Sequence, residues 1–211
     1  MARGRFITFE GGEGCGKSTQ TRRLGAALER LGVKSIVTRE PGGTPLAESV
    51  RRLLKGEGPE EPCDRCELLL FLAARAQLVE RVIRPALEAG TWVVSDRFSD
   101  STYAYQGCGR GLPLDFVSAA DAFACASLRP DVTFLLDLPP EAAAARMRGR
   151  ESATGVCADR IELAGDAFHA RIREGFAELA RREPERIITI DASLAPDEVE
   201  AAIWSHLKPL L

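Results

Sequence analysis

Eight consecutive residues carry the strongest chemical signal in the chain: Gly11-Gly12-Glu13-Gly14-Cys15-Gly16-Lys17-Ser18. The spacing Gly-x4-Gly-Lys-Ser is the Walker A pattern, and such glycines let backbone N–H groups turn inward as a nest for phosphate oxygens. A helix that starts directly afterwards points its positive end at the same place. Lys17 can reach the β- and γ-phosphates, and the Ser18 hydroxyl can ligate Mg2+. Gly11 to Thr19 is therefore the expected ATP-binding loop. Glu13 is an odd residue inside it, because a carboxylate beside polyphosphate is repelled unless it has a purpose.

Other residues fit the same chemistry. Asp96 closes an apolar run and resembles the second acidic site of P-loop enzymes, which holds Mg2+ directly or through water. Arg97 follows at once, and a guanidinium between donor and acceptor would neutralise charge on a transferring phosphoryl group. A plain surface ion pair is the competing reading of Arg97. Phe71 and Arg75 lie one helical turn apart and share a face. Taken alone, Phe71 reads equally as core. The stretch from Arg146 through Arg148 and Arg150 to Asp159 and Arg160 carries Gly149 and Gly155 between helical patterns. It reads as a lid at approximately 147–160.

These residues need elements to hold them. Phe6–Glu10 is a short apolar run with β-branched content, followed by the glycine loop. From Lys17 the pattern is helical, with Leu24, Ala27, Leu28 and Leu31 on one face and Gly32 as the stop. Further strands are expected at Val33–Thr38, Trp92–Ser95, Val132–Leu138 and Ile187–Asp191. Helices are expected at Leu46–Leu54, Cys66–Ala89 with a kink at Pro85, Phe116–Ala126, Ile161–Arg182 and Pro196–Leu207. Apolar strands alternating with helices predict an α/β three-layer sandwich, a five-stranded parallel sheet with helices on both faces. Ligands bind beyond the carboxyl ends of such strands, where the glycine loop, Arg39 and Asp96-Arg97 fall.

Composition narrows the function classes. The chain has 211 residues, 45% hydrophobic, which suits one domain over 1–211. With 28 basic and 31 acidic residues the net charge is −3. No basic excess points to nucleic acid or to an anionic membrane. No segment approaches the length of a membrane span, and the start lacks a signal-peptide pattern, so the expected location is cytoplasmic. Cys63 and Cys66 form the only close cysteine pair and lack two further zinc ligands nearby. A GTPase should carry Asn-Lys-x-Asp and Asp-x-x-Gly motifs, and neither is present. A kinase needs an acceptor pocket, converging arginines and a lid. A nucleotide-dependent regulatory switch, and a P-loop kinase for another small acceptor, remain the alternative readings.

Several motifs together make a more specific case. Phe9 to Thr19, Thr38-Arg39-Glu40-Pro41-Gly42-Gly43-Thr44, Phe71-Leu72-Ala73-Ala74-Arg75, Asp96-Arg97 and Ser101-Thr102-Tyr103-Ala104-Tyr105-Gln106-Gly107 resemble bacterial thymidylate kinase in order and spacing. The resemblance implies a nucleoside monophosphate kinase fold, ATP with Mg2+, dTMP as acceptor and a homodimer. It implies that Glu13 accepts from the 3′-hydroxyl of dTMP and that Arg39 and Arg97 contact its phosphate. Phe71 would stack on thymine, Arg75 would donate to a thymine carbonyl, and Tyr105 would pack against sugar C2′. Ser101 and Gln106 line the same pocket or serve only as loop residues. The phosphate loop has no arginine among Gly12, Glu13, Gly14 and Cys15, which resembles the subtype whose lid supplies a catalytic arginine; that implies Arg150 as the first and Arg148 as the second choice. Phe98 departs from the Tyr or His more usual in that family, and the lid is longer than in some bacterial members.

Overall fold

The computed structural model describes residues 3–155 and 160–211, without the side chains of residues 150, 153, 154 and 210. Five parallel strands, β1 (Phe6–Glu10), β2 (Ser35–Arg39), β3 (Trp92–Asp96), β4 (Val132–Asp137) and β5 (Ile187–Asp191), form one sheet in the order β2-β3-β1-β4-β5. Side chains alternate across β1, and both faces are covered. Ile7 and Phe9 pack with Leu24 and Leu28 of α1 (Lys17–Arg30) and with Val199 and Ile203 of α9 (Pro196–Leu207). Phe6 faces the other way, into a cluster with Leu78, Val93 and Phe98. Every residue of β1 is buried, including Thr8 and Glu10. That is why the strands read as unbroken apolar runs.

Register decides what the sheet can do. Asp96 pairs with Phe9 on one side and with Arg39 on the other. The carboxyl ends of β1, β2 and β3 therefore stop level. The residues that follow them, the glycine loop, Glu40 and Arg97, emerge in one row.

Several element boundaries differ from expectation. Leu31 is not on the buried face; it caps α1 and is exposed. β2 starts at Ser35, because the Val33 N–H is used to close α1 on the Leu28 carbonyl at 3.0 Å. The expected long helix divides into α3 (Asp64–Leu78), a wide π-turn (Val79–Ile83) and α4 (Arg84–Glu88). Pro85, which lacks an N–H, lies just after the wide turn, so the disturbance precedes the last turn. Leu69 of α3 is exposed. The helix expected from Ile161 begins only at Asp166, after Gly165, as α8 (Asp166–Arg182). The expected lid begins as helix: α7 (Pro140–Thr154) carries Arg146 to Arg150 and ends on the left-handed Gly155. The remaining helices are α2 (Pro45–Leu54), α5 (Ser99–Thr102) and α6 (Leu114–Ala124), with a second π-turn at Tyr103–Gly109. Thr44 caps α2 by accepting from the Ala47 N–H.

One close approach places the acceptor side of the site. α8 packs onto the 103–109 turn, and a Cβ at Gly175 would lie 2.8 Å from the Cys108 sulfur. Through this contact Phe168 and Phe176 meet the Tyr105 ring edge-on, at 6.3 and 6.2 Å between centroids. Tyr105 is thereby fixed with only its hydroxyl end toward the cleft.

Candidate active site

A cleft of about 560 Å3 opens above the carboxyl ends of β1, β2 and β3. Its walls include Glu13 to Thr19, Arg39, Phe71, Arg75, Asp96, Arg97, Ser101, Tyr105 and Gln106. Most of the residues singled out from the sequence thus converge on one place.

At the donor end the loop is built from backbone. Gly11 has a φ of +134°, and a Cβ there would lie 2.5 Å from the Leu136 carbonyl oxygen. Only glycine can turn the chain this close to β4. Lys17 is buried, and its Nζ donates to the carbonyls of Gly11 at 3.1 Å and Gly12 at 2.6 Å. The ammonium is therefore parked inside the nest it would share with phosphate. The Ser18 hydroxyl donates to the Asp96 carboxylate at 2.5 Å, bringing the two expected Mg2+ ligands together.

Arg97 spans the cleft. Its backbone is left-handed at φ 74°, a strained state for a residue with a Cβ. One NH group donates to the Gly11 carbonyl and the Ser101 hydroxyl, both at 3.1 Å. The other donates to Glu13 at 2.5 Å and to the Tyr105 hydroxyl at 2.9 Å. The guanidinium also lies 4.8 Å from the Tyr105 ring centroid. The strained turn is held from below by Glu10. Its carboxylate accepts from the Phe98 N–H at 2.7 Å and the Ser101 hydroxyl at 2.6 Å. Burial, then the nearby Asp100 charge, pushes the Glu10 pKa up to about 8. Glu13 shows the opposite balance. Burial alone would raise its pKa, but the Arg97 and Lys17 charges overcome that and hold it at about 2. Glu13 is thus an anion fixed by a salt bridge, which answers why a carboxylate survives inside the loop.

The far wall is a second set of buried charges. Arg75 is 1% exposed, and four hydrogen bonds and an ion pair engage its guanidinium. Nε and one NH group reach Glu40, the other NH group reaches Thr102 and Asp121 at 2.6 Å, and the Phe98 carbonyl completes the set at 3.0 Å. Burial opposes its charge, but Glu40 and Asp121 more than offset that and raise its pKa. The structure thus brings Arg75 to the cleft wall with its guanidinium held in place by these partners. Phe71 is half-buried, packed against Ala47, Val50 and Leu54 of α2 with its remaining surface on the cleft. Arg39 is half-exposed and donates to Glu48 at 2.9 and 3.0 Å.

The lid arginines separate. Arg146 lines the cleft, whereas Arg148 lines a neighbouring cavity bounded by α7, α8 and the end of β4. The Arg150 side chain and Asp159 lie outside the described residues. Phe98, the departure from the usual residue, is fully buried against Phe6 at 4.8 Å and fills core. Cys63 and Cys66 are exposed, and among the described residues no cluster suits a metal.

Sequence reasoning missed Arg51, which lines the cleft from α2 along with Leu54 and Lys55. Their spacing of three and four residues marks one helix face and is the signal that could have found it. It gave no role to Glu10 and Glu40, which lie inside the quoted motifs, and did not single out Glu67.

With this geometry in view, similarity to known proteins is specific. A thymidylate kinase family model matches residues 9–203. A thymidylate kinase of Alkalilimnicola ehrlichii is 47% identical, over 98% of this chain and 94% of that protein. One from Rhizorhabdus wittichii is 48% identical, over 99% of each. The crystal structure of thymidylate kinase from Ehrlichia chaffeensis superposes with a TM-score of 0.77 at 32% identity, covering 97% of this chain and 99% of that one.

Proposed function

This chain belongs to the thymidylate kinase family, and from that premise we propose how its cleft divides the work of the reaction. The enzyme transfers the γ-phosphoryl group of ATP to dTMP, giving dTDP and ADP. The observation that carries the division is the reach of Arg97 from the phosphate loop to Tyr105 and Ser101. It stands where donor and acceptor phosphates must meet.

ATP takes the nest of Gly11 to Thr19, and its phosphate oxygens displace the Gly11 and Gly12 carbonyls from Lys17. The dTMP phosphate lies between Arg39 and Arg97, with its sugar near Glu13 and Tyr105. Phe71 stacks on the base beside Gln106. An acceptor phosphate is already a nucleophile, so no strong general base is needed, and catalysis comes from alignment and converging positive charge. Ser18 and Asp96 are two adjacent hard oxygen ligands that fit a small divalent cation retaining several waters. Mg2+ held there would neutralise charge on the donor phosphates. Arg146 joins Arg148 and Arg150 as a source of lid charge, since it alone of the first two lines the cleft.

The chain acts as one kinase domain with its lid at about 147–160, as a cytoplasmic homodimer. Among the described residues no helix is long and apolar enough to cross a membrane. The support for dimerisation is apolar surface on adjacent α3 and α6: Leu69, Phe116 and Phe123 are 57%, 58% and 89% exposed. A coupled ADP-release assay over a panel of nucleoside monophosphates tests the acceptor. dTMP is expected to turn over fastest, and far faster turnover of another monophosphate would overturn the assignment.

A further inference from the structure

Glu67 sits on α3 behind the base end of the cleft and belongs to none of the motifs above. It is 1% exposed, yet charged. Burial would raise its pKa, but hydrogen bonds from Arg110 and Gln106 reverse that and hold it below the usual carboxylate range. Arg110 donates to both of its oxygens, at 3.1 and 2.9 Å, and Arg160 donates to the second. The third partner is the Gln106 amide nitrogen, 2.9 Å from the first oxygen.

An ionised carboxylate only accepts hydrogen bonds. Beside it, a glutamine amide has one allowed orientation, with NH2 toward the carboxylate and the carbonyl oxygen turned away. Gln106 is itself buried and lines the cleft, so its oxygen is the group available there. The nearby Arg75 guanidinium is held by Glu40, Thr102, Asp121 and the Phe98 carbonyl. This end of the cleft therefore presents an acceptor. Thymine carries an N–H at ring position 3, and cytosine carries a lone pair there.

We propose that Glu67 is a positioning residue that sets base specificity, by locking the Gln106 amide so that it accepts from a pyrimidine N–H and rejects cytosine. The proposal rests on the dTMP reading of the cleft. Wild-type turnover of dTMP tests that reading separately. Replacing Glu67 by glutamine removes the lock, because the amide at position 67 can donate as well as accept and Gln106 is free to turn over. A site built to pair one hydrogen-bonding group discriminates strongly against a substrate lacking it, and losing the fixed orientation loses that discrimination.

The experiment measures kcat/KM for dTMP and for dCMP in wild type, Glu67→Gln and Arg160→Gln. Arg160→Gln removes one partner of Glu67 while Arg110 and Gln106 remain. Glu67→Gln is expected to lower the dTMP:dCMP ratio about tenfold or more, and Arg160→Gln to leave the ratio unchanged. An equal fall for both substrates in Glu67→Gln would overturn the proposal, as would the same ratio change in Arg160→Gln. If Glu67→Gln fails to fold, the wild-type side-chain amide of Gln106 is followed by 15N NMR exchange. Protected NH2 protons support the lock, and free exchange with water contradicts it.

Discussion

The two ends of the cleft are built by different means. At the donor end the chain itself makes the site: a glycine turn, a helix N-terminus and one lysine within a single stretch from Gly11 to Lys17. At the acceptor end the site is made of side chains from separate segments, wired by buried ion pairs and hydrogen bonds. Arg75 and Glu40 are 35 residues apart in sequence, Gln106 and Glu67 39, and Arg97 and Glu13 84. Phosphate is the same on every nucleotide, so backbone suffices to hold it. A base and a sugar must be told from others, and that takes side chains fixed by further side chains.

Breaking the bridge between the two ends should have the largest effect. Arg97→Ala is expected to lower kcat by about a thousandfold or more, because it removes charge placed at the transferring group. ATP-analogue binding, measured by calorimetry, should change little. Preserved turnover would refute its role.

Next comes the buried frame of the acceptor end. Arg75→Leu strands Glu40 and Asp121 without their cation, and should cost about 3 kcal/mol of stability in urea unfolding. Glu40 is a poor anion even now, because burial raises its pKa against the pull of Arg75. A change below about 1 kcal/mol would show that this network is not the keystone of the wall.

The junction itself should respond to pH. The Glu13 pKa is lowered from 4.5 to about 2. Its stabilisation is complete above the unfolded value and is lost as pH falls from about 4.5 toward about 2. The shift corresponds to at most about 3 kcal/mol. Unfolding midpoints measured between pH 5 and 3 should fall less steeply for Glu13→Gln than for wild type. Parallel curves would place the acid sensitivity elsewhere.

The same contrast explains what the sequence made legible. The phosphate loop is local, so its spacing alone identified it, and the alternation of buried strands with amphipathic helices led to the sheet. The carboxylates behind the acceptor end were invisible. Glu10 at a strand end and Glu67 near a helix start gain their roles only from partners that long-range packing supplies. Arg75 shows the converse: a motif marked the residue, but its buried partners come from tertiary contacts that no spacing reveals. Spacing alone could not rank Arg146 against Arg148, because only the turn of α7 sends them to different sides.

The most direct test of the division is calorimetric titration of the Phe71→Ala protein with dTMP and, separately, with a non-hydrolysable ATP analogue. Phe71 belongs wholly to the side-chain-built end, and removing its ring should weaken dTMP about tenfold, near 1.4 kcal/mol, while the ATP analogue binds as in wild type. Equal losses for both ligands, or loss of the ATP analogue alone, would contradict the account.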